Sequence, residues 1–234
     1  MIKLFHFMPW HGLPDPSPFC IKVDLYLRAT RLEYERRPGF QNMARAPKHK
    51  LPFIEDNGKI IPDSAFILAY LKQNYGDPLD KDLNSEQKAI THAFGRMLEE
   101  NFYWCIVRAR WLGEEVWPII KQDFFGALPL PLKLFIPPRA QKRVRDTLYK
   151  QGLGRHSDEE ALQIAKKDLT ALSDLLGDKD YFLIDKPATL DVIAYAFLSE
   201  VILTDISCSL NDTARSFDNL VAFVTRMKEM YYTD

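Results

Sequence analysis

Residues 50–64 read Lys50-Leu51-Pro52-Phe53-Ile54-Glu55-Asp56-Asn57-Gly58-Lys59-Ile60-Ile61-Pro62-Asp63-Ser64. Asn57-Gly58 tolerates the positive φ of a tight turn, and the apolar runs Leu51–Ile54 and Lys59–Ile61 flank it. The pattern predicts a β-hairpin. Asp63-Ser64 then predicts a helix start, with Phe66, Ile67, Tyr70 and Leu71 following at helical spacing. On the other side, Pro52 enters the first hairpin strand directly after Leu51. A trans bond is the default for X-Pro, but a cis bond would turn the Leu51 N–H and C=O outward, where an extended peptide can pair with them.

Toward the N-terminus, Ile2, Leu4 and their apolar neighbours up to Met8 predict a short strand covered on both faces. A loop with Pro9, Pro14 and Pro16 follows, and Ser17-Pro18 opens a helix. The serine hydroxyl suits the cap, and proline at the first helical position loses no hydrogen bond. Phe19, Val23, Tyr26 and Leu27 recur at helical spacing, and Leu32–Arg36 predicts a second strand. The order predicts an α/β, thioredoxin-like βαβαββα domain over residues 1–78.

Residues 79–84 read as a linker after Pro78, rich in aspartate. From 85 to 234 every strong pattern is helical. Ile90, Phe94, Met97, Leu98, Cys105 and Ile106 predict one long helix ending near Trp111. Ser157-x-x-Glu160 is a capping box ahead of Leu162, Ala165, Leu169, Leu172 and Leu176, and Gly177 stops that helix. Leu190–Leu203 is apolar on every face and predicts a central buried helix. Leu220, Val224, Met227 and Tyr231 predict a last amphipathic helix. Between 113 and 150 the periodicity blurs.

The 234 residues carry 31 basic and 32 acidic side chains, a net charge of −1 that argues against nucleic-acid partners. Cys20, Cys105 and Cys208 are too sparse for a disulfide framework, and neither they nor the five histidines cluster as metal ligands would. No metal is expected. The first residues lack the form of a signal peptide. The apolar stretch Phe124–Pro138 holds four prolines, Lys133 and Gly126, and cannot supply the roughly 20 helical residues that cross a bilayer. The expectation is a soluble, cytoplasmic protein. Leu128, Leu130, Leu132, Leu134, Phe135 and Ile136 fit an exposed patch for membrane contact, but packing across the helical domain is the expected fate of this stretch.

Three groups of residues carry chemistry. Ser17 stands where a strand hands over to a helix, so a thiolate beside it would meet free amides and a donating hydroxyl. Free thiols titrate near ~8.5, and lowering that by about two units takes roughly 2.7 kcal/mol, the order that one charge-assisted hydrogen bond and a helix terminus supply. Alone, Ser17 reads first as an ordinary N-cap. Cys20, one turn on, reads as core, with a second redox thiol as the alternative. Leu51 and Pro52 offer backbone pairing. Asp63-Ser64 suits the ammonium and carboxylate of a γ-glutamyl end, or simply caps its helix. Trp104, Arg108 and Trp111 share a helix face at i, i+4 and i+7, with Tyr103 beside them, as domain-interface core or as a pocket wall. Arg155 and His156 sit in a loop expected to position the next helix rather than bind an anion.

Together these features resemble the glutathione-transferase superfamily, and more closely its subgroup of failed-axon-connections proteins and metaxins. The resemblance rests on Ser17-Pro18-Phe19-Cys20, the 50–58 stretch, Asp63-Ser64, Arg110-Trp111, Gly152–Ser157 and residues 168–178, and spans nearly the whole chain. It implies a glutathione-transferase fold with an all-α C-terminal domain. Glutathione, as co-substrate, would be held by Phe19, Lys50, Leu51, Pro52, Asp63 and Ser64 with Ser17 as catalytic residue. An acceptor pocket would be built from Trp10, Tyr103, Trp104, Arg108 and Trp111. The implied activity is conjugation of the glutathione thiolate to a small electrophile, as in detoxification, since serine rather than cysteine heads the box. A non-catalytic, metaxin-like interaction or membrane-associated module and a thiol-disulfide enzyme using Cys20 are the alternatives. Superfamily members often form homodimers. One departure concerns the cap of the central helix, where Ala188 stands three residues before Asp191 in place of the usual Ser or Thr. Thr189 is a candidate to shift that cap by one residue.

Overall fold

The structure is a computed structural model that describes residues 1–233, so residue 234 of the helical region lies outside the described residues. Strands β1 (Ile2–His6), β2 (Tyr34–Pro38), β3 (Phe53–Asp56) and β4 (Lys59–Pro62) form one sheet in the order β2-β1-β3-β4. β1 runs parallel to β2, with Ile2 opposite Tyr34, and the other pairs are antiparallel. Helices α1 (Pro18–Ala29), α2 (Asn42–Arg45) and α3 (Ser64–Tyr75) complete the expected βαβαββα order. Asn57 and Gly58 take φ of 49° and 80°, the left-handed pair that the hairpin turn requires.

β2 starts two residues later than expected. Arg31 is left-handed, and the Leu32 N–H reaches back to the Leu27 carbonyl at 3.1 Å. Closing α1 this way consumes the residues that would have opened the strand.

The helical part comprises α4 (Ser85–Met97), a π-helical turn (Leu98–Phe102), α5 (Tyr103–Leu112), α6 (Trp117–Phe125), α7 (Leu132–Gln151), a 3₁₀ turn (Leu153–Arg155), α8 (Asp158–Leu176), α9 (Thr189–Ile202), α10 (Ser209–Arg215) and α11 (Asp218–Tyr231). The single long helix expected over 90–111 is thus interrupted. Its inward residues Phe94, Leu98, Phe102 and Ile106 recur every four positions, whereas a regular helix drifts about 40° at each such step. The wider π turn absorbs the drift. Each residue of α9 is buried, as its nearly continuous apolarity predicted, Asp191 and Glu200 included, and α1 packs against it.

The α9 cap does not move to Thr189. Asp191 replaces the missing hydroxyl by accepting from the amides of Ala188 at 2.8 Å and Phe182 at 2.9 Å. Burial outweighs those bonds and raises its carboxyl to about 6. Ser157 and Glu160 close the expected capping box ahead of α8. Arg155 is spent on the Tyr149 carbonyl and ring, which fits loop positioning.

Residues 124–138 pack as expected only in part: Phe125 meets the rings of Trp111 and Trp117, and Phe124 that of Trp10, but the middle of the stretch stands out. α7 turns Ile136, Pro137, Ala140, Val144 and Leu148 inward at helical spacing, which leaves Leu132, Leu134 and Phe135 off that face and exposed. Among the described residues, no helix is long and apolar enough to cross a membrane.

Candidate functional site

Ser17 is fixed by its buried neighbours. Its amide donates to the Asp15 carboxylate at 2.9 Å, and the other Asp15 oxygen lies 3.0 Å from His6 Nδ1. Both of those side chains are buried, and burial raises the Asp15 carboxyl against the pull of His6. Pro18 stands at the first position of α1, and the Ser17 hydroxyl makes no capping bond. The hydroxyl is therefore not spent on a helix amide. Pro18 has no N–H and the Cys20 amide bonds the Ser17 carbonyl at 3.0 Å, so among the described residues the Phe19 amide is the donor left free at this terminus.

Cys20 does not reach the same space. It is fully buried among Phe5, Ala46, Leu51 and Phe53. Burial, then the Asp15 carboxylate, pushes its thiol well above the usual range.

The Leu51–Pro52 bond is cis. Among the described residues, the Leu51 backbone makes no intrachain backbone hydrogen bond. Asp63 caps α3 with φ of 77°, its carboxylate accepting from the Ala65 amide at 3.1 Å and lying 3.5 Å from Lys48 Nζ. Ser64 beside it is buried, and its hydroxyl has no partner among the described residues.

These groups converge. Ser17, Phe19, Lys50, Leu51, Pro52, Asp63 and Ser64 all line one cleft of about 720 Å³ between the sheet domain and the helices. The facing wall is the α4–α5 run. At one end it presents Arg96, Glu99 and Glu100, and further along Tyr103, Trp104 and Trp111. Lys22, buried in α1, donates to Glu99 at 2.6 Å across the two domains. Burial lowers the Lys22 ammonium, and Glu99 opposes the shift. The apolar end is closed by Phe40, Phe124 and Phe125, with Phe40 and Phe124 ring centres 5.4 Å apart.

Two of the residues expected in the acceptor pocket lie elsewhere. Arg108 sits about 100° around the helix from Val107, at the edge of the cleft-facing stripe, and its charge draws it to Asp158 at 2.7 Å and the His156 carbonyl at 3.1 Å. Trp10 is folded under the cleft by a tight turn with Leu13, donates to Asp123 at 2.9 Å, and lines a separate cavity of about 430 Å³ with Tyr195 and Tyr232. Next to it, the ring nitrogens of His11 contact Asp205 at 2.5 Å and Asp123 at 2.9 Å. Burial lowers the His11 imidazole, but the two carboxylates together raise it.

Arg110 has a role the sequence left unassigned. Its guanidinium donates to the Pro16 carbonyl at 2.8 Å, stacks over the Trp10 ring and pairs with the fully buried Glu200. Burial raises the Glu200 carboxyl to about 7 despite the arginine. Among the described residues, no group of three or more His, Cys, Asp or Glu is placed to hold a metal.

Comparison with known proteins agrees with this architecture. Residues 18–116 match the glutathione S-transferase N-terminal domain model, and residues 165–227 match the glutathione S-transferase C-terminal domain model. The chain is 34% identical to the isoprene-epoxide–glutathione S-transferase of Rhodococcus sp. (strain AD45), over 99% of both chains. It is 36% identical to Failed axon connections of Drosophila melanogaster, covering all of this chain but 59% of that one. Metaxin-1 of Macaca fascicularis is 29% identical over 99% of this chain and 75% of its own. Among solved structures, β-etherase LigF from Sphingobium sp. superposes with a TM-score of 0.67 at 18% identity, covering 100% and 99% of the two chains. A glutathione S-transferase of Ceriporiopsis subvermispora in complex with glutathione gives 0.64 at 20%, covering 100% and 98%. The chain belongs to the glutathione S-transferase family, and within it lies close to the failed-axon-connections and metaxin subgroup.

Proposed function

We propose that the protein binds reduced glutathione at the polar end of the cleft and conjugates its thiolate to a small electrophile held at the aromatic end. One observation carries this reading: the Ser17 hydroxyl, not spent on capping, the Leu51 backbone and the Asp63-Ser64 pair line a single cleft. In this reading Leu51 pairs with the peptide backbone of glutathione, Ser64 holds its γ-glutamyl carboxylate and Asp63 its ammonium. Ser17 donates to the sulfur and stabilises the anion as its proton leaves. With an epoxide, the class named for the Rhodococcus relative, a C–S bond forms as a C–O bond breaks, and the alkoxide takes a proton from water.

The test is calorimetric titration with reduced glutathione, followed by conjugation assays on an electrophile panel that includes epoxides. Ser17→Ala is expected to lower turnover by about 100-fold, matching the roughly 2.7 kcal/mol that a two-unit thiol shift represents. Absence of glutathione binding, or full activity in both Ser17→Ala and Asp63→Ala, overturns the proposal.

A second reading, a non-catalytic interaction module, draws on Failed axon connections and metaxin-1, relatives whose names state no reaction. Glutathione binding without turnover across the panel would favour it.

A further inference from the structure

The corner between α6 and α7 carries more exposed apolar surface than folding alone requires. Leu130, Leu132, Leu134 and Phe135 are 73%, 46%, 64% and 54% exposed, four large apolar side chains within six residues. The chain is compact here: the Lys133 amide bonds the Pro129 carbonyl at 3.2 Å, and the Leu134 amide bonds the Pro131 carbonyl at 2.9 Å. The inward face of α7 is already occupied by Ile136, Pro137, Ala140, Val144 and Leu148, so no rotation of the helix hides Leu132, Leu134 and Phe135 without exposing those.

Charge is as uneven as apolarity. Between 126 and 150 lie Lys133, Arg139, Lys142, Arg143, Arg145 and Lys150 against Asp146 alone, in a chain of 31 basic and 32 acidic residues. Phe135, Arg139 and Arg143 follow at i, i+4 and i+8, and Leu134 and Lys142 at i and i+8. The basic residues thus follow the apolar tip along the exposed side of the helix, drifting about 80° around it over eight residues. Arg139 lies over the Phe135 ring at 5.9 Å, and Lys142 pairs with Asp146 at 2.7 Å.

We infer that this corner docks on an anionic lipid surface, with the Leu130–Phe135 tip entering the headgroup–acyl boundary and the α7 stripe lying against the phosphates. A projecting apolar tip needs a yielding medium, whereas a protein partner must offer a matching groove. Lys133 is half-buried and donates to the Gly126 carbonyl at 3.1 Å, and Lys142 pairs with Asp146. Arg139, Arg143, Arg145 and Lys150 still leave this rim net positive in an otherwise acid-rich chain, which selects negative charge. α7 lies on the surface and does not span it. The adjoining residues Phe124 and Phe125 close the apolar end of the cleft, so docking brings that end near the bilayer.

The test is vesicle flotation with the intact chain. Vesicles of phosphatidylcholine and phosphatidylserine in a roughly three-to-one ratio are expected to carry the protein, pure phosphatidylcholine to carry at least about tenfold less, and raised salt to release it. Leu134→Ser/Phe135→Ser and Arg139→Glu/Arg143→Glu should each reduce binding by about tenfold or more. Both pairs are surface changes, and an unaltered melting transition confirms that the fold survives. The inference is overturned if the wild type ignores anionic vesicles, or if both variants bind like wild type. It is equally overturned if sedimentation shows the serine variant splitting a dimer while vesicle binding stays nil, which would assign the corner to a second copy. Glutathione titration of the same variants should match wild type, so failure of the conjugation reading leaves this result readable.

Discussion

The Arg110 guanidinium donates to the Pro16 carbonyl oxygen at 2.8 Å, tying the middle of the helical domain to the residue directly before Ser17. The same guanidinium pairs with Glu200, buried in the last turn of α9. One side chain therefore joins the buried helix, the cleft wall and the loop that carries the hydroxyl.

Removing it should cost both stability and geometry. Arg110→Ala leaves Glu200 buried without its cation, and unfolding in urea is expected to show a loss of about 3–5 kcal/mol. Arg110→Met with Glu200→Leu should recover most of that stability but not the anchoring of Pro16. Turnover should then stay low in a protein that folds well. Equal losses in the single and double variants would refute the pairing.

Glu200 also sets a pH dependence. Its carboxyl titrates near 4.5 in the unfolded chain and about 7 in the folded one. Between those values the native state binds more protons, so stability falls as pH rises through this window. Glu200→Gln should flatten that part of a urea-midpoint profile. A wild-type profile that rises from about pH 5 to about pH 7 would contradict the assignment.

Asp63 and Ser64 separate backbone strain from ligand contact. Asparagine tolerates the φ of 77° at position 63 better than alanine does, so Asp63→Asn should fold normally. It should nevertheless weaken glutathione binding by about tenfold, the scale of one charge-assisted hydrogen bond, as should Ser64→Ala. Calorimetry on folded variants decides this, and unchanged affinity in both would remove the pair from the site.

The three cysteines should differ sharply toward an alkylating agent at neutral pH. Cys20 and Cys105 are buried, and burial raises the latter to about 12, while Cys208 is half-exposed. Mass spectrometry of the native protein is expected to find Cys208 modified first and Cys20 protected. Rapid labelling of Cys20 would revive a thiol-exchange role.

Where a local signal had one physical meaning, the sequence was a sound guide. Asn57-Gly58 allows few backbones but a tight turn, Ser157 and Glu160 cap each other, and an α9 apolar on all sides has nowhere to go but the centre. The order of Ser17, Leu51 and Asp63-Ser64 was legible for the same reason, since each sits at an element's start. Side-chain destinations were less so. Trp10 and Arg108 have the right chemistry for a pocket, yet Asp123 and Asp158 claim them, and neither carboxylate is near in sequence. Arg110 stood in plain view with no role because its partners lie 94 and 90 residues away. The exposed corner could not be read from hydrophobicity, which counts apolar residues but not which face of α7 was already filled.

The π turn at Leu98–Phe102 makes the cleft wall tolerant of length change at one place and intolerant beside it. A chain one residue shorter within the turn would tighten into ordinary α-helix and keep the face of α4 toward α9 and the face of α5 toward the cleft. The same loss inside α5 would rotate the remainder of that helix by about 100°. Arg108 would then stand where Val107 does, placing a cation in the aromatic half of the cavity.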